Sequence, residues 1–304
     1  MSQDSVLTLV ASDIPLTESL IGAVEIVLHE QNIKVTKDHR WLSPQRAIDI
    51  HLPYEPDAAG ISAIRSVLDA VRVDMFINPV EGRKKKLLIA DMDSTIVQGE
   101  TLDDIAAEFG IGEKVASITA RTMNGDLDFQ SSLKERVLLL SGRSAEALEK
   151  VRSRTKFNFG ADILTETMRR HMATSVLVSG GFTYFTSYVA EKAYFDYHHG
   201  NNMQIRNGKI TGVLTDSILD SRAKLSFMNE YMSKLRIKPD QVMAIGDGAN
   251  DKDIIEAAGL GIGFYPKPIL EEVTHNIIRY GDLTAALFAQ GYLEKEFRVR
   301  RPQR

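Results

Sequence analysis

Leu87-Leu88-Ile89-Ala90-Asp91-Met92-Asp93-Ser94-Thr95 (LLIADMDST) is the stretch on which the reading of the fold turns. Four apolar residues without alternation suit a strand buried on both faces, as in a parallel sheet. Two carboxylates follow at once. Strand alternation points residues 91 and 93 the same way. Two like charges on one side of a strand end repel each other unless a cation or a proton joins them.

Outward from this stretch the pattern recurs. Apolar runs stand at Ser175–Val178, Val242–Ile245 and Leu260–Ile262, with helical spacing over Asp220–Lys234 and Asp251–Ala258. Strands alternating with helices predict an α/β fold, a doubly wound parallel sheet. From Glu100 to about Ser153 the pattern is almost wholly helical, which predicts a cap inserted between the first two core strands. Asn202–Val213 predicts a hairpin turning at Asn207-Gly208. Before the sheet, Glu81-Gly82-Arg83-Lys84-Lys85-Lys86 reads as a linker or a solvated strand entry. Residues 1–80 form a unit of their own, with strands at Val6–Ala11, Val35–Trp41, Ala47–Leu52 and Val73–Ile77 and helices at Thr17–His29 and Ile61–Val71. That β-α-β-β-α-β order is ferredoxin-like. The expected division is therefore 1–80 and 81–304, with the cap at about 100–155.

In an open parallel sheet ligands bind beyond the carboxyl ends of the strands, and the chemistry-bearing residues follow those ends. Ser179-Gly180-Gly181 offers a hydroxyl and unobstructed amides suited to an anion such as phosphate. Lys224 stands in the first turn of a helix and is a point-charge partner for the same anion. Gly246-Asp247-Gly248-Ala249-Asn250-Asp251 adds two carboxylates and an amide between a strand and a helix. Hard oxygen donors of this kind suit Mg2+. A nucleophile, a metal and a cation with amide donors are what phosphoryl transfer requires.

The order Asp-x-Asp-x-Thr, Ser, Lys, Gly-Asp-Gly-x-x-Asp, spread over Asp91 to Asp251, resembles the haloacid-dehalogenase (HAD) superfamily, and within it the phosphoserine phosphatases. Glu100 after the first motif, and Met123, Phe129 and Arg136 in ITARTMNGDLDFQSSLKERV, carry the closer resemblance. It implies hydrolysis of free O-phospho-L-serine, the last step of serine biosynthesis. Asp91 is implied as the nucleophile that forms an aspartyl-phosphate and Asp93 as the acid and base. Magnesium would be held by Asp91, Asp247 and the main-chain carbonyl of Asp93. Ser179, Gly180, Lys224 and Asn250 are implied to bind the phosphate or substrate, with Thr95 and Asp251 supporting them. Glu100, Met123, Phe129 and Arg136 are implied to contact the serine moiety. Residues 1–80 resemble ACT-like units by element order alone. Lys252 departs from the family pattern, which has an apolar residue there. Two alternatives stay open: action on another phosphomonoester, including transfer to an acceptor such as homoserine, and a non-catalytic amino-acid sensor.

Among 304 residues, 43% are hydrophobic, 26% are charged and the net charge is −4, which argues against a nucleic-acid partner. The chain lacks cysteine, so thiolate metal sites and disulfides are excluded. No apolar run is long enough for a membrane span, and the first residues lack the features of a secretory signal. A cytoplasmic enzyme with a small-molecule substrate is expected, and a homodimer is compatible with the sequence. The basic run Arg298–Arg304 reads as a solvated tail.

Overall fold

A computed structural model describes residues 4–35, 39–123 and 126–298. The chain begins with β1 (Ser5–Ala11), α1 (Glu18–Glu30), β2 (Arg40–Ser43), β3 (Ala47–Leu52), α2 (Ala58–Asp69) and β4 (Val73–Pro79). Both helices start where a side chain satisfies an orphan amide: Thr17 accepts from Leu20 N–H and Asp57 from Gly60 N–H. Each buries one stripe, Ile21, Val24 and Leu28 in α1 and Ile64 and Leu68 in α2, against Leu7, Leu9, Ile48 and Ile50 of the sheet. The four strands pair antiparallel in the order β2-β3-β1-β4. The strand expected at Val35–Trp41 begins only at Arg40, and residues 36–38 lie outside the described ones.

The central sheet starts at β5 (Leu87–Ala90). The cap follows as α3 (Thr101–Glu108), α4 (Gly112–Met123), α5 (Phe129–Leu138) and α6 (Glu146–Arg154). Next come α7 (Ala161–Arg170), β6 (Thr174–Phe182), α8 (Thr183–Lys192) and β7 (Tyr197–Asn201). The hairpin β8 (Met203–Arg206) and β9 (Lys209–Leu214) turns at Asn207 and Gly208, both at positive φ as such a turn demands. The chain then runs through α9 (Ser221–Leu235), β10 (Val242–Gly246), α10 (Lys252–Ala257), β11 (Leu260–Phe264), α11 (Pro268–Glu271), β12 (Ile277–Ile278) and α12 (Ala285–Ala289). Strands β12-β11-β10-β5-β6-β7 are parallel. The apolar runs split between two faces. Leu88, Ala90, Met243 and Ile245 pack with α7, α8 and α12, while Leu87, Ile89, Val242 and Ala244 pack with α9, α10 and α11. The result is an α/β fold with a mostly parallel central sheet and helices on both faces.

Two expectations are corrected. Ser179-Gly180-Gly181 lies within β6, at the irregular end where its register with β7 shifts. The run 81–86 is no solvated linker: Arg83 and Lys85 are buried, and Glu81, Lys84 and Lys86 are exposed or flanking. Alternation explains this, since residues 83 and 85 point inward as the chain approaches β5. The Lys85 ammonium donates to the carbonyls of Asp240 and Gly82. The Arg83 guanidinium donates to Asp49 on β3 (2.8 and 3.0 Å) and to Thr8 on β1 (2.7 Å). The two units also share one sheet, because Met75 of β4 pairs antiparallel with Ile277 of β12. Asp74 beside it accepts the amides of Arg279, Tyr280 and Gly281. Removing one partner of a buried ion pair leaves an uncompensated charge. Asp49→Ala is therefore expected to destabilise the protein by about 3–5 kcal/mol in urea unfolding. A loss below about 1 kcal/mol would show that the pair is not structural.

Candidate active site

Strand order places the site. The chain winds outward from β5 through β6 to β7, then returns to β10 and winds the other way through β11 to β12. The reversal therefore falls between β5 and β10, whose carboxyl ends carry Asp91 and Asp247. Such a switch point opens a crevice because the flanking connections leave on opposite faces. A cleft of about 1000 Å³ lies there, with Asp91, Asp93, Ser179 and Asp247 on the sheet side and Phe129 and Arg136 on the cap side.

Asp91 is buried, and its carboxylate lies 2.7 Å from the Lys224 ammonium. Lys224, 1% exposed, reaches Asp251 at 2.6 Å on its other side. Asp220 starts the helix that carries Lys224 by accepting Ala223 N–H. Burial works against the lysine's charge, but Asp251 and Asp91 outweigh it and hold its pKa above the usual value. Asp251 is fully buried and packs so closely on Gly246 that a Cβ there would come within 2.2 Å of its carboxyl carbon. Carboxylate oxygens of Asp91, Asp247 and Asp251 all lie within 4.8 Å of one another. Burial first, then Asp91, pushes the carboxyl pKa of Asp247 up and that of Asp251 to about 7. Crowded carboxylates with raised pKa values and hard oxygen donors fit a divalent cation, whose charge would favour their ionised forms. Lys267 sits 3.1 Å from Asp247 on the outer side.

The chain turns sharply after Asp93, with Ser94 at φ 56° and the Met92 carbonyl accepting from Thr95, Ile96 and Val97. This turn leaves Asp93 facing the first amide of α3: Thr101 N–H donates to its Oδ1 at 2.9 Å. Ser179 Oγ stands 3.4 Å from its Oδ2 and accepts Gly181 N–H at 2.8 Å. Burial, Glu100 and Asp91 raise the Asp93 pKa well above the ordinary carboxylate range, against the pull of Thr101. Glu100 is held by Ser94 Oγ at 3.0 Å, and its own pKa is raised by desolvation in the cleft and by Asp91. Arg136, half-buried on α5, has burial lowering its pKa while Asp103 and Glu100 raise it. Phe129 packs on Gly180, where a Cβ would lie 3.1 Å from the ring and would push it back by a few tenths of an ångström.

Of the residues singled out in the sequence, the cleft therefore brings together Asp91, Asp93, Glu100, Phe129, Arg136, Ser179, Gly180, Asp247 and Asn250. Lys224 and Asp251 lie behind Asp91. Thr95 is buried, its carbonyl accepting from Asn158. Met123 ends α4, and its side chain lies outside the described residues. Residues 299–304 of the basic tail do so as well. Sequence reading missed Ser94, Asp103 and Lys267. A lone lysine before Pro268 carries no periodic signal, and only the return of the chain after β11 brings it to Asp247.

The haloacid dehalogenase-like hydrolase model matches residues 88–256, and the chain belongs to that family. A curated relative, the phosphoserine phosphatase of Archaeoglobus fulgidus, is 39% identical over 225 residues, covering 73% of this chain. The chain spans 65% of that relative's length. A HAD family hydrolase from Salmonella enterica serovar Typhi superposes with a TM-score of 0.85 at 26% identity, over 97% of this chain and 99% of that one. A phosphoserine phosphatase solved as a phospho-aspartyl intermediate analogue superposes with a TM-score of 0.63 at 36% identity, over 67% and 98%. Among the described residues no helix is long and apolar enough to cross a membrane.

Lys224 is the buried cation between Asp91 and Asp251, so its removal should leave two carboxylates facing each other. Lys224→Met is expected to lower the unfolding free energy of the metal-free protein by about 3–5 kcal/mol, with added divalent cation restoring part of it. An unchanged melting temperature without metal would refute this account of the cluster.

Proposed function

We propose that the protein is a magnesium-dependent phosphoserine phosphatase acting through an aspartyl-phosphate on Asp91. The observation that carries this reading is that one cleft is lined both by the Asp91–Asp93 pair and by two side chains of opposite charge, Glu100 and Arg136. The first pair suits phosphoryl transfer. The second suits the ammonium and carboxylate of a free amino acid. The relatives named above, one of them caught as an analogue of a phospho-aspartyl intermediate, support it.

Asp91 attacks phosphorus, and the bond from phosphorus to the serine oxygen breaks as the new acyl-phosphate bond forms. Asp93, whose pKa is raised by burial, Glu100 and Asp91, gives its proton to the departing oxygen. It is then a carboxylate and takes a proton from the water that attacks the acyl-phosphate, releasing phosphate and Asp91. Ser179 Oγ, the Gly180 amide and Lys224 stabilise the transferring oxygens, and Asn250 orients Asp247 or the substrate. Asp91, Asp247 and the Asp93 carbonyl would hold the magnesium, which supplies charge neutralisation at the phosphoryl group. Asp251 and Thr95 stabilise this arrangement from behind. Phe129, with Met123, supplies the apolar wall, and the cap excludes water while the phosphoryl group passes to Asp91, then admits the water that hydrolyses the acyl-phosphate.

The reading extends to the rest of the molecule. Residues 1–80 are an ACT-like, ferredoxin-like unit, supported by the strand order β2-β3-β1-β4, ahead of a phosphatase unit over 81–304. A cytoplasmic homodimer belongs to the same proposal, and sedimentation of the full chain tests the dimer.

The decisive measurement is phosphate release from a panel of phosphomonoesters with and without magnesium. Phosphoserine should exceed phosphoethanolamine by about a hundredfold or more in kcat/KM, because the latter leaves Arg136 unpaired. Equal rates would end the phosphoserine assignment. Asp91→Asn should retain its fold and lose phosphate release, and label from substrate should be trapped on Asp91 in the wild type; label on another residue refutes the nucleophile. Arg136→Ala should narrow the gap between the two substrates mainly by slowing phosphoserine. An unaltered ratio would remove Arg136 from substrate selection.

A further inference from the structure

We propose that Lys267 is a positioning residue that holds Asp247 in the metal-free protein and competes with the divalent cation for it, so that this one side chain sets the affinity of the metal site. The inference rests on the metal-dependent reading above. Its grounds lie in how Lys267 is mounted. The chain leaves β11 and enters α11 at Pro268, and here the Lys267 amide donates to the Asp247 carbonyl at 2.8 Å. The side chain of the same residue returns to the same aspartate, its Nζ 3.1 Å from Oδ2. Asp247 is thus gripped twice by one neighbour, through main chain and side chain. Gly248 leaves room for this: a Cβ there would lie 3.4 Å from the Lys267 Nζ and 2.8 Å from the Asn250 Oδ1.

The two lysines of the site are built differently. Lys224 is enclosed and bonded to two carboxylates, so it cannot leave without stranding both. Lys267 is half exposed and bonded to one carboxylate, so water can take over its ammonium when it withdraws. It lines the same cleft as Asp91 and Glu100; burial works against its charge, and Asp247 first, then Glu100 and Asp91, hold its pKa up. A cation arriving at the Asp91–Asp247 pair meets a positive charge on each donor, Lys224 on Asp91 and Lys267 on Asp247, and only Lys267 can withdraw into water. Electrostatic repulsion of a divalent ion at this range, reduced by solvent, opposes binding by roughly tenfold or more.

Replacing only the ammonium tests this, because the main-chain bond to Asp247 survives any side chain. Titration calorimetry of the full-length protein with magnesium chloride and with manganese chloride compares wild type, Lys267→Met and Lys267→Arg, with thermal melts reporting folding and metal-linked stabilisation. Lys267→Met should bind both ions about tenfold more tightly and gain more melting temperature from them. Lys267→Arg should match the wild type. If Lys267→Met proves unstable without metal, Lys267→Gln provides the same neutralisation and the same expectation. Equal or weaker binding by the neutral variants overturns the proposal, as does tightening by Lys267→Arg to the same degree. Absence of divalent binding in the wild type overturns the metal-dependent reading itself, an outcome distinct from both.

Discussion

Three carboxylates from two neighbouring strand ends and one helix start meet within a few ångströms, and their mutual repulsion governs the design around them. Asp91, Asp247 and Asp251 are all buried, where charge repulsion is least screened. The chain answers with two lysines of different character. Lys224 is an enclosed strut between Asp91 and Asp251, and Lys267 is a half-exposed counter-charge on Asp247. What remains is an incompletely neutralised pocket of oxygen donors at the switch point of the sheet. Next door, burial and Glu100, with a smaller push from Asp91, raise the pKa of Asp93, so the crowding of carboxylates extends from the cluster to the mouth of the cleft.

The cap is tied to this cluster at several points. Asp93 accepts the first amide of α3, so the cap's opening helix begins on the reacting side of the sheet. Phe129 at the start of α5 rests on Gly180, and Gln130 beside it donates to Asp220, the residue that starts the helix carrying Lys224. At the far end the cap is held by the β8–β9 hairpin: Gly142 donates to Ile210, Ala145 to Gly208, and Ser141 to Thr211. The cap is thus fastened to the rest of the molecule both at the cleft and at the hairpin, and its buried side chains, among them Leu102, Ile105 and Leu148, join the same apolar core as Leu88 and Phe185.

Much of this was legible beforehand because it depends on local pattern. Unbroken apolar runs such as LLIA and VMAI announce strands covered on both faces, and the carboxylates at their ends announce the site. Asn207-Gly208 announced its turn. What stayed hidden depends on long-range return of the chain. Arg83 and Lys85 have the composition of a solvated linker, and their burial follows from partners such as Asp49 and Asp240, distant in sequence. Lys267 looks like any surface lysine until β11 delivers it to Asp247. Ser179-Gly180-Gly181 read as lying beyond the strand end because the irregular extension of β6 carries no apolar run to announce it. Helix limits moved by a residue or more wherever a cap such as Thr17 or Asp220 stood just outside the periodic stretch.

The sharing of one ten-stranded sheet by both units has a consequence for how the protein is made. β4 is complete by Pro79, yet the strand that pairs with its free edge, β12, ends at Ile278. On a ribosome emitting about 5–20 residues per second, roughly 200 residues separate the two, a delay on the order of 10–40 s. Throughout that time the nascent N-terminal sheet presents an unpaired edge, the kind of surface that recruits other chains. That edge is seven residues long, Val73–Pro79, and Asp74 places a carboxylate on it until the amides of Arg279, Tyr280 and Gly281 arrive. Charged side chains on a strand edge are one means by which proteins blunt it, so the residue that fastens the finished sheet is also of the type that disfavours foreign strands on the unfinished one.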